Sequence, residues 1–381
     1  MARLAQSIVE MRRSGIRELM DLAATMSDVI HLEVGEPSFD TPPHIIEAAS
    51  RAAREGYTHY TPNVGLLSLR ERLALKLKRV NKLLVTVDQI VVTPGAVAGL
   101  ASALMAITEP GDEILIPDPG WPNYQMMVAL SGGVAKYYPL SDADGFLPNV
   151  ARIEHELGPR TKAIIVNDPS NPAGAVFPRG MVRDLVDLAH RRDLFLISDE
   201  VYEQIVFEGE HTSALSFDVD GRAIAIYGFS KTYAMTGWRL GYAVASKEVA
   251  AVVGKLQEPL VSCASSVSQK AAEAAIDGPQ DCIVAMVEAY RRRRDLAVRL
   301  LADLDVPFCP PSGAFYLMVN ISARGMDSYG FSRALLREAH VAVAPGDTFG
   351  TFARNYVRIS LATSDEHLVE GLRRLAAFLK G

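Results

Sequence analysis

The stretch AIAIYGFSKTYAMTGWRLGY, residues 223–242, decides how this chain is read. It opens with an apolar run of strand character that passes directly into Ser230, Lys231 and Thr232. Arg239 lies eight residues beyond the lysine. A lysine delivered from a strand end into an apolar site can shed its proton and attack a carbonyl carbon. A nearby arginine supplies a permanent charge suited to a phosphate. Taken alone, Ser-Lys-Thr is more simply a solvated turn, and the remainder of the chain must decide between the two.

Short runs of the same strand character recur at residues 89–93, 113–116, 163–166, 194–197 and 240–244. Between most of them lie amphipathic stretches of helix length, such as 99–108 and 181–192. This alternation predicts a mainly parallel sheet covered on both faces by helices. With 381 residues, 49% of them hydrophobic, the chain has material for a large core and for a second, smaller unit. The formal net charge of −6 argues against a nucleic-acid partner. Cys263, Cys282 and Cys309 are too far apart for a zinc or disulfide pattern, and read as buried apolar residues in a reducing compartment. The N-terminal residues lack the apolar core of a signal peptide, and no apolar run reaches membrane-spanning length. A cytoplasmic protein with no membrane partner is expected.

Ligands of parallel sheets bind beyond the carboxyl ends of the strands. Those ends are Pro94-Gly95-Ala96-Val97, Asp118-Pro119-Gly120-Trp121, Asn167 to Pro172, Ser198-Asp199-Glu200-Val201-Tyr202, and Ser230-Lys231. As a set they suit pyridoxal 5'-phosphate (PLP), which needs a lysine for its imine, a carboxylate at the ring nitrogen, donors to its phenolic oxygen and a phosphate cradle. Gly95, Ala96 and Val97 open a helix, whose backbone N–H groups and dipole can hold a phosphate, although a plain strand–helix turn accounts for them in isolation. Asp199 follows an apolar strand and needs a cation if buried, or else caps the next segment. Tyr202 lies one helical turn on, with a hydroxyl that needs a partner. Asn171 could be a turn residue, and Trp121 could stack on a ligand or pack in the core.

Taken together, these ordered motifs resemble the fold-type I PLP-dependent aminotransferases, in the class I branch that includes aspartate aminotransferases. The resemblance runs from Gly35-Glu36-Pro37 to Tyr356-Val357-Arg358-Ile359-Ser360. It implies an α/β fold whose large domain, residues 45–285, holds a mainly parallel seven-stranded sheet and the PLP. A smaller α+β domain would combine residues 1–44 with 286–381. The implied reaction is transamination between an α-amino acid and a 2-oxo acid, through an aldimine on Lys231 and pyridoxamine phosphate. By motif, Lys231, Asp199 and Tyr202 are the catalytic residues, with Asp199 at the ring nitrogen and Tyr202 and Asn171 at the phenolic oxygen. Trp121 stacks on the ring. Ser230, Arg239 and the backbone of Gly95, Ala96 and Val97 hold the phosphate. Tyr60 reaches the phosphate of a neighbouring subunit, which implies a homodimer. Arg358, with Gly35 and Asn171, receives the substrate carboxylate, and the two domains close over it. No role calls for a metal.

Departures from the family pattern bear on the substrate. Asp168 stands at the first proline-adjacent position and Ala173 replaces a threonine, neither touching Asn171. Related aspartate-specific enzymes place a lysine near the position of Val97 to receive a side-chain carboxylate, and valine cannot do so. An apolar or aromatic amino donor is therefore expected, unless Arg13 or Arg17 substitutes. A long helix is predicted over 281–304, with Arg291 to Arg294 on an interdomain or solvated face. A carbon–sulfur β-lyase or a decarboxylase remains an alternative on the same scaffold. A non-catalytic PLP-binding regulator is disfavoured, because only a short helical segment precedes Gly35.

Overall fold

A computed structural model describes Leu4, residues 6–9, Met11 and residues 14–381. The strands in chain order begin with β1 (Ile30–His31), β2 (Ile90–Thr93), β3 (Glu113–Asp118) and β4 (Val134–Pro139). They continue with β5 (Thr161–Asn167), β6 (Phe195–Asp199), β7 (Ala223–Gly228) and β8 (Gly241–Val244). The last are β9 (Phe308–Cys309), β10 (Tyr316–Asn320), β11 (Val341–Ala342), β12 (Ala344–Pro345) and β13 (Tyr356–Ser360).

Seven strands form one sheet in the order β2-β8-β7-β6-β5-β3-β4. All neighbours are parallel except β8, which runs antiparallel to both β2 and β7. The apolar runs suit burial on both faces, since successive side chains point to opposite sides. Ile165, Ile197, Ile224 and Ile226 enter one cluster with Leu100, Leu104 and Val253 of the helices Ala96–Ile107 and Lys247–Val261. Ile164, Val166 and Leu196 enter another with Leu185 and Leu188 of the helix Arg179–Arg191. The sequence reading identified every strand of this sheet except β4. That strand lies at the sheet edge, is half exposed, and carries Val-Ala-Lys-Tyr-Tyr-Pro in place of a β-branched run.

A second sheet, β12-β13-β10-β9, is antiparallel, and β1 pairs in parallel with β11. Its core gathers Phe315, Leu317, Val319, Val357 and Ile359 with residues of the helices Asp281–Asp303, Ser328–Ala339 and Asp365–Lys380. The arginine run on the first of these helices is not a solvated face. Arg293 and Arg294 are buried. Arg293 donates to Asp365 Oδ1 at 3.0 Å and to Ser38 Oγ at 2.9 Å, while Arg294 donates to Glu208 Oε1 at 2.6 Å. The run thus ties three distant parts of the chain together, and only Arg292 remains largely exposed. The three cysteines are unpaired and each is partly exposed, where full burial was expected. Among the described residues no helix is long and apolar enough to cross a membrane.

Ile165 is fully buried at the middle of β5. Ile165→Ala is expected to lower stability by about 2–5 kcal/mol through the lost contacts and the cavity left behind. A fall in the urea midpoint with an unchanged slope would record it.

Candidate active site

The parallel strands bring their carboxyl ends to one edge of the large sheet. Asn167 at the end of β5 pairs in register with Asp199 at the end of β6. The Asn167 amide donates to the Asp199 carbonyl at 2.9 Å, and its oxygen accepts the Asn171 N–H at 2.7 Å, folding the following loop back over the edge. Strand β7 ends in a single helical turn, Phe229–Thr232, that carries Ser230 and Lys231. Strand β2, separated from β7 by β8, leads through Gly95 into the helix Ala96–Ile107.

The Lys231 amine donates to the Gly35 carbonyl at 2.6 Å and lies 5.8 Å from the centre of the Phe315 ring. Burial lowers its pKa to about 8, and the charges of Arg358 and Arg239 act in the same direction against Glu36 and Asp199. A useful fraction of the amine is therefore unprotonated near neutral pH. Asp199 is buried, and burial raises its carboxyl to about 6 even though it accepts the Tyr124 hydroxyl at 2.7 Å and the Val201 N–H at 3.4 Å. Among the described residues no side-chain cation forms an ion pair with it. A buried carboxylate without a cation is costly, and a protonated pyridine nitrogen would complete it.

At the other end of this site, Gly95 adopts φ 80°, and a Cβ there would lie 2.5 Å from Arg239 Nη2. The helix that begins at Ala96 and Val97 has no side-chain cap, which leaves its first N–H groups available. Gly241 on β8 serves the same close approach, since a Cβ there would lie 2.5 Å from the Ala96 nitrogen. Arg239 spends one N–H on the Thr236 carbonyl at 2.8 Å and is otherwise exposed. With Ser230 in the adjacent helical turn, this corner has the donors that a phosphate requires.

Arg358 occupies the middle of β13 and is only 2% exposed. Its Nη1 donates to Asn171 Oδ1 at 2.9 Å and its Nη2 to the Glu33 carbonyl at 2.6 Å. The guanidinium carbon sits 4.2 Å from the centre of the Tyr316 ring and 4.8 Å from that of Phe349. Its Nε has no partner, and among the described residues no carboxylate forms an ion pair with it. Burial pulls its pKa below the ordinary value. The Tyr202 and Tyr316 hydroxyls bond each other at 2.8 Å. Gly35 completes this corner, because a Cβ there would collide with the Tyr316 hydroxyl.

The structure thus brings Lys231, Asp199, Tyr202, Asn171, Gly35 and Arg358 into one site, with Gly95, Ala96, Ser230 and Arg239 at its other end. Trp121 meets Tyr124 edge to face, with ring centres 5.5 Å apart. Val97 is on the exposed side of the first helical turn. Tyr60 is 88% exposed, and among the described residues it makes no hydrogen bond. Arg17 is exposed, and Arg13 lies outside the described residues. The sequence reading missed Tyr124, Tyr316, Phe349 and the Glu33 carbonyl. Only Tyr124 left a signal, as an aromatic three residues after Trp121 in the segment that follows a strand end.

In this site the Asp199 carboxylate and the Arg358 guanidinium are both buried and form no ion pair among the described residues, and the partly deprotonated Lys231 amine lies with them. That charge pattern defines a PLP enzyme acting on α-amino acids. Residues 27–375 match the model of the aminotransferases of class I and II, and the chain belongs to this family. It is 37% identical to an aspartate aminotransferase of Pyrococcus horikoshii, over 99% of this chain and 97% of that one. It is 38% identical to aromatic-amino-acid aminotransferase 2 of Thermococcus litoralis, over 96% of each. The solved structure of Thermus thermophilus aspartate aminotransferase with maleate superposes with a TM-score of 0.95 at 38% identity, covering 99% of this chain and 100% of that one. The protein is a PLP-dependent aminotransferase that exchanges the amino group between an α-amino acid and a 2-oxo acid.

The Asp199 environment has a consequence for stability. Between the ordinary value of 3.8 and about 6, the unfolded chain releases this proton while the folded chain retains it. The cost of Asp199 therefore grows across that window and is complete above it. Without cofactor, Asp199→Asn is expected to be more stable than the parent by up to about 3 kcal/mol near pH 8, and by less than about 1 kcal/mol near pH 4. Urea denaturation at both pH values measures the difference.

Proposed function

We propose that Lys231, Asp199 and Arg358 divide the transamination between them, with an apolar or aromatic amino acid as preferred donor. PLP, when bound, accepts the electron pair released at the substrate Cα and carries the amino group between substrates. Asp199 keeps a proton on the ring nitrogen, the role its cationless burial suits. Tyr124 and Val201 fix the direction of that carboxylate, and Tyr202 and Asn171 would donate to the phenolic oxygen. Trp121 supplies the stacking face, and Ser230, Arg239 and the backbone of Gly95, Ala96 and Val97 would hold the phosphate, the Gly95 N–H itself being spent on the Thr93 carbonyl at 2.7 Å. Lys231, with its pKa lowered to about 8, removes the proton from the substrate Cα and returns it on the other side of the exchange.

The single observation that carries this reading is Arg358, a buried guanidinium with an unmatched Nε and no carboxylate partner among the described residues. Asn171, Glu33 and two aromatic rings hold it in one orientation, so a substrate carboxylate beside Gly35 would be gripped at a set angle to the ring. Val97 supports the apolar donor, since this exposed residue of the first helical turn offers no charge to a side-chain carboxylate. Similarity to relatives named for aspartate and for aromatic amino acids leaves that choice to such residues.

The same reading takes residues 45–285 as the large domain and residues 1–44 with 286–381 as the small one. Pairing of β1 with β11 and the bond from Arg358 to Glu33 support joining the two chain ends. The exposed ring of Tyr60 supports a homodimer in which it completes the partner's phosphate corner. Three free cysteines support a reducing, cytoplasmic location.

Lys231→Ala is expected to abolish the covalent cofactor linkage and nearly all turnover; a borohydride-fixed bond persisting in that variant would overturn the assignment. Arg358→Lys is expected to raise KM for both substrates by roughly thirty- to a hundredfold, the loss of a bidentate charged pair. A panel of donors mixed with the yellow holoenzyme should bleach its absorbance fastest with apolar or aromatic amino acids. Equal or faster bleaching by aspartate would remove the donor assignment and leave the transamination reading intact.

A further inference from the structure

Asp118 ends β3 at the same sheet edge as Asp199, yet the roles above leave it unused. It is 5% exposed, and among the described residues no side-chain cation forms an ion pair with it. Its carboxylate is turned toward a distant stretch of chain. Oδ2 accepts the Thr351 N–H at 3.0 Å and the Thr351 hydroxyl at 2.7 Å, and Oδ1 accepts the Phe352 N–H at 3.0 Å. Two residues on, the Gly120 N–H donates to the Phe349 carbonyl at 2.8 Å. Gly350 allows the approach: its φ is 141°, and a Cβ there would collide with Asp118 Oδ1.

Four hydrogen bonds therefore lock residues 349–352 onto residues 118–120. Each side of this lock continues into the site. Trp121 follows Gly120 directly, and the Phe349 ring covers the Arg358 guanidinium. A ring face next to a buried cation stabilises its charge and restricts its plane, an effect that grows when water is excluded. A carboxylate suits the lock better than a neutral acceptor, because all three side-chain contacts come from donors and charge strengthens each of them.

We propose that Asp118 is a positioning residue for substrate binding: by holding residues 349–352, it keeps Phe349 against Arg358 and so sets the grip on the substrate carboxylate. The inference rests on Arg358 as the carboxylate anchor. Asp118 touches neither cofactor nor substrate on this account. It acts on binding and leaves the proton transfer at Lys231 alone. Asparagine in its place would turn an NH2 group toward at least one N–H donor, so one bond is lost and one contact becomes repulsive.

The test uses holoenzymes and an apolar amino donor. In Asp118→Asn, KM for both amino acid and 2-oxo acid is expected to rise about tenfold, with kcat within about threefold and the cofactor absorbance unchanged. Amide hydrogen exchange at residues 351 and 352 should accelerate in the same variant, a readout independent of turnover. Thr351→Val removes only the hydroxyl bond and should give a KM rise of about threefold. Thr351→Val decides the matter if Asp118→Asn does not fold.

Phe349→Leu supplies the second arm of a double-mutant cycle. If Asp118 acts through Phe349, adding Asp118→Asn or Thr351→Val to Phe349→Leu raises KM little further. Multiplying effects would overturn the proposal, as would an unchanged KM in the single variants or a fall in kcat at constant KM. Arg358→Lys separates the two levels of the argument. A raised KM there with none in the Asp118 and Thr351 variants removes the lock alone. An unchanged KM in Arg358→Lys removes the anchor, and the lock with it.

Discussion

The buried carboxylate of Asp199, which forms no ion pair among the described residues, is the constraint on which the rest of the site depends. A charge in that position opposes folding, and burial has already moved its pKa to about 6. It is tolerated because β6 lies between β5 and β7, so the backbone is fixed by both neighbours and Tyr124 and Val201 supply the remaining bonds. Arg358 is the mirror case, a buried cation that forms no ion pair among the described residues, on a strand flanked by β12 and β10. Two sheets thus hold opposite charges in place, and each charge awaits a ligand of the other sign.

Close backbone approach is the second recurring device. Gly95 and Gly241 let the start of the helix Ala96–Ile107 lie against β8, which brings its N–H groups beside Arg239. Gly35 lets the chain pass the Tyr316 hydroxyl, which places its carbonyl at the Lys231 amine. A methyl group at any of these positions would separate groups whose interaction depends on contact. The same logic applies at Gly350 beside Asp118, where the sheet edge meets the segment carrying Phe349.

Much of this was legible along the chain. Runs such as Ile224 to Tyr227 and Ile164 to Val166 mark strands buried on both faces, because no exposed strand would accept so many branched apolar residues. Residues that follow such runs lie at the ligand-binding edge, which is how Asn171, Asp199 and Lys231 could be singled out. Strand β4 was not legible, since an exposed edge imposes no apolar run, and the burial of Arg293 and Arg294 was hidden in a charged sequence. Tyr316, Phe349 and the Glu33 carbonyl had no signal at all, because each gains its role only by meeting Arg358.

The sequence by itself determined the alternation of strand and helix, the cofactor class and the residues that could meet it, since strand-end position and side-chain chemistry are local properties. Only the tertiary structure decided which polar groups are left without partners. Whether a carboxylate lacks a cation, or a guanidinium an anion, depends on every neighbour within reach. Those neighbours come from residues 33, 35, 124, 171, 199, 231, 316, 349 and 358, far apart in the chain and adjacent only once the two sheets have formed.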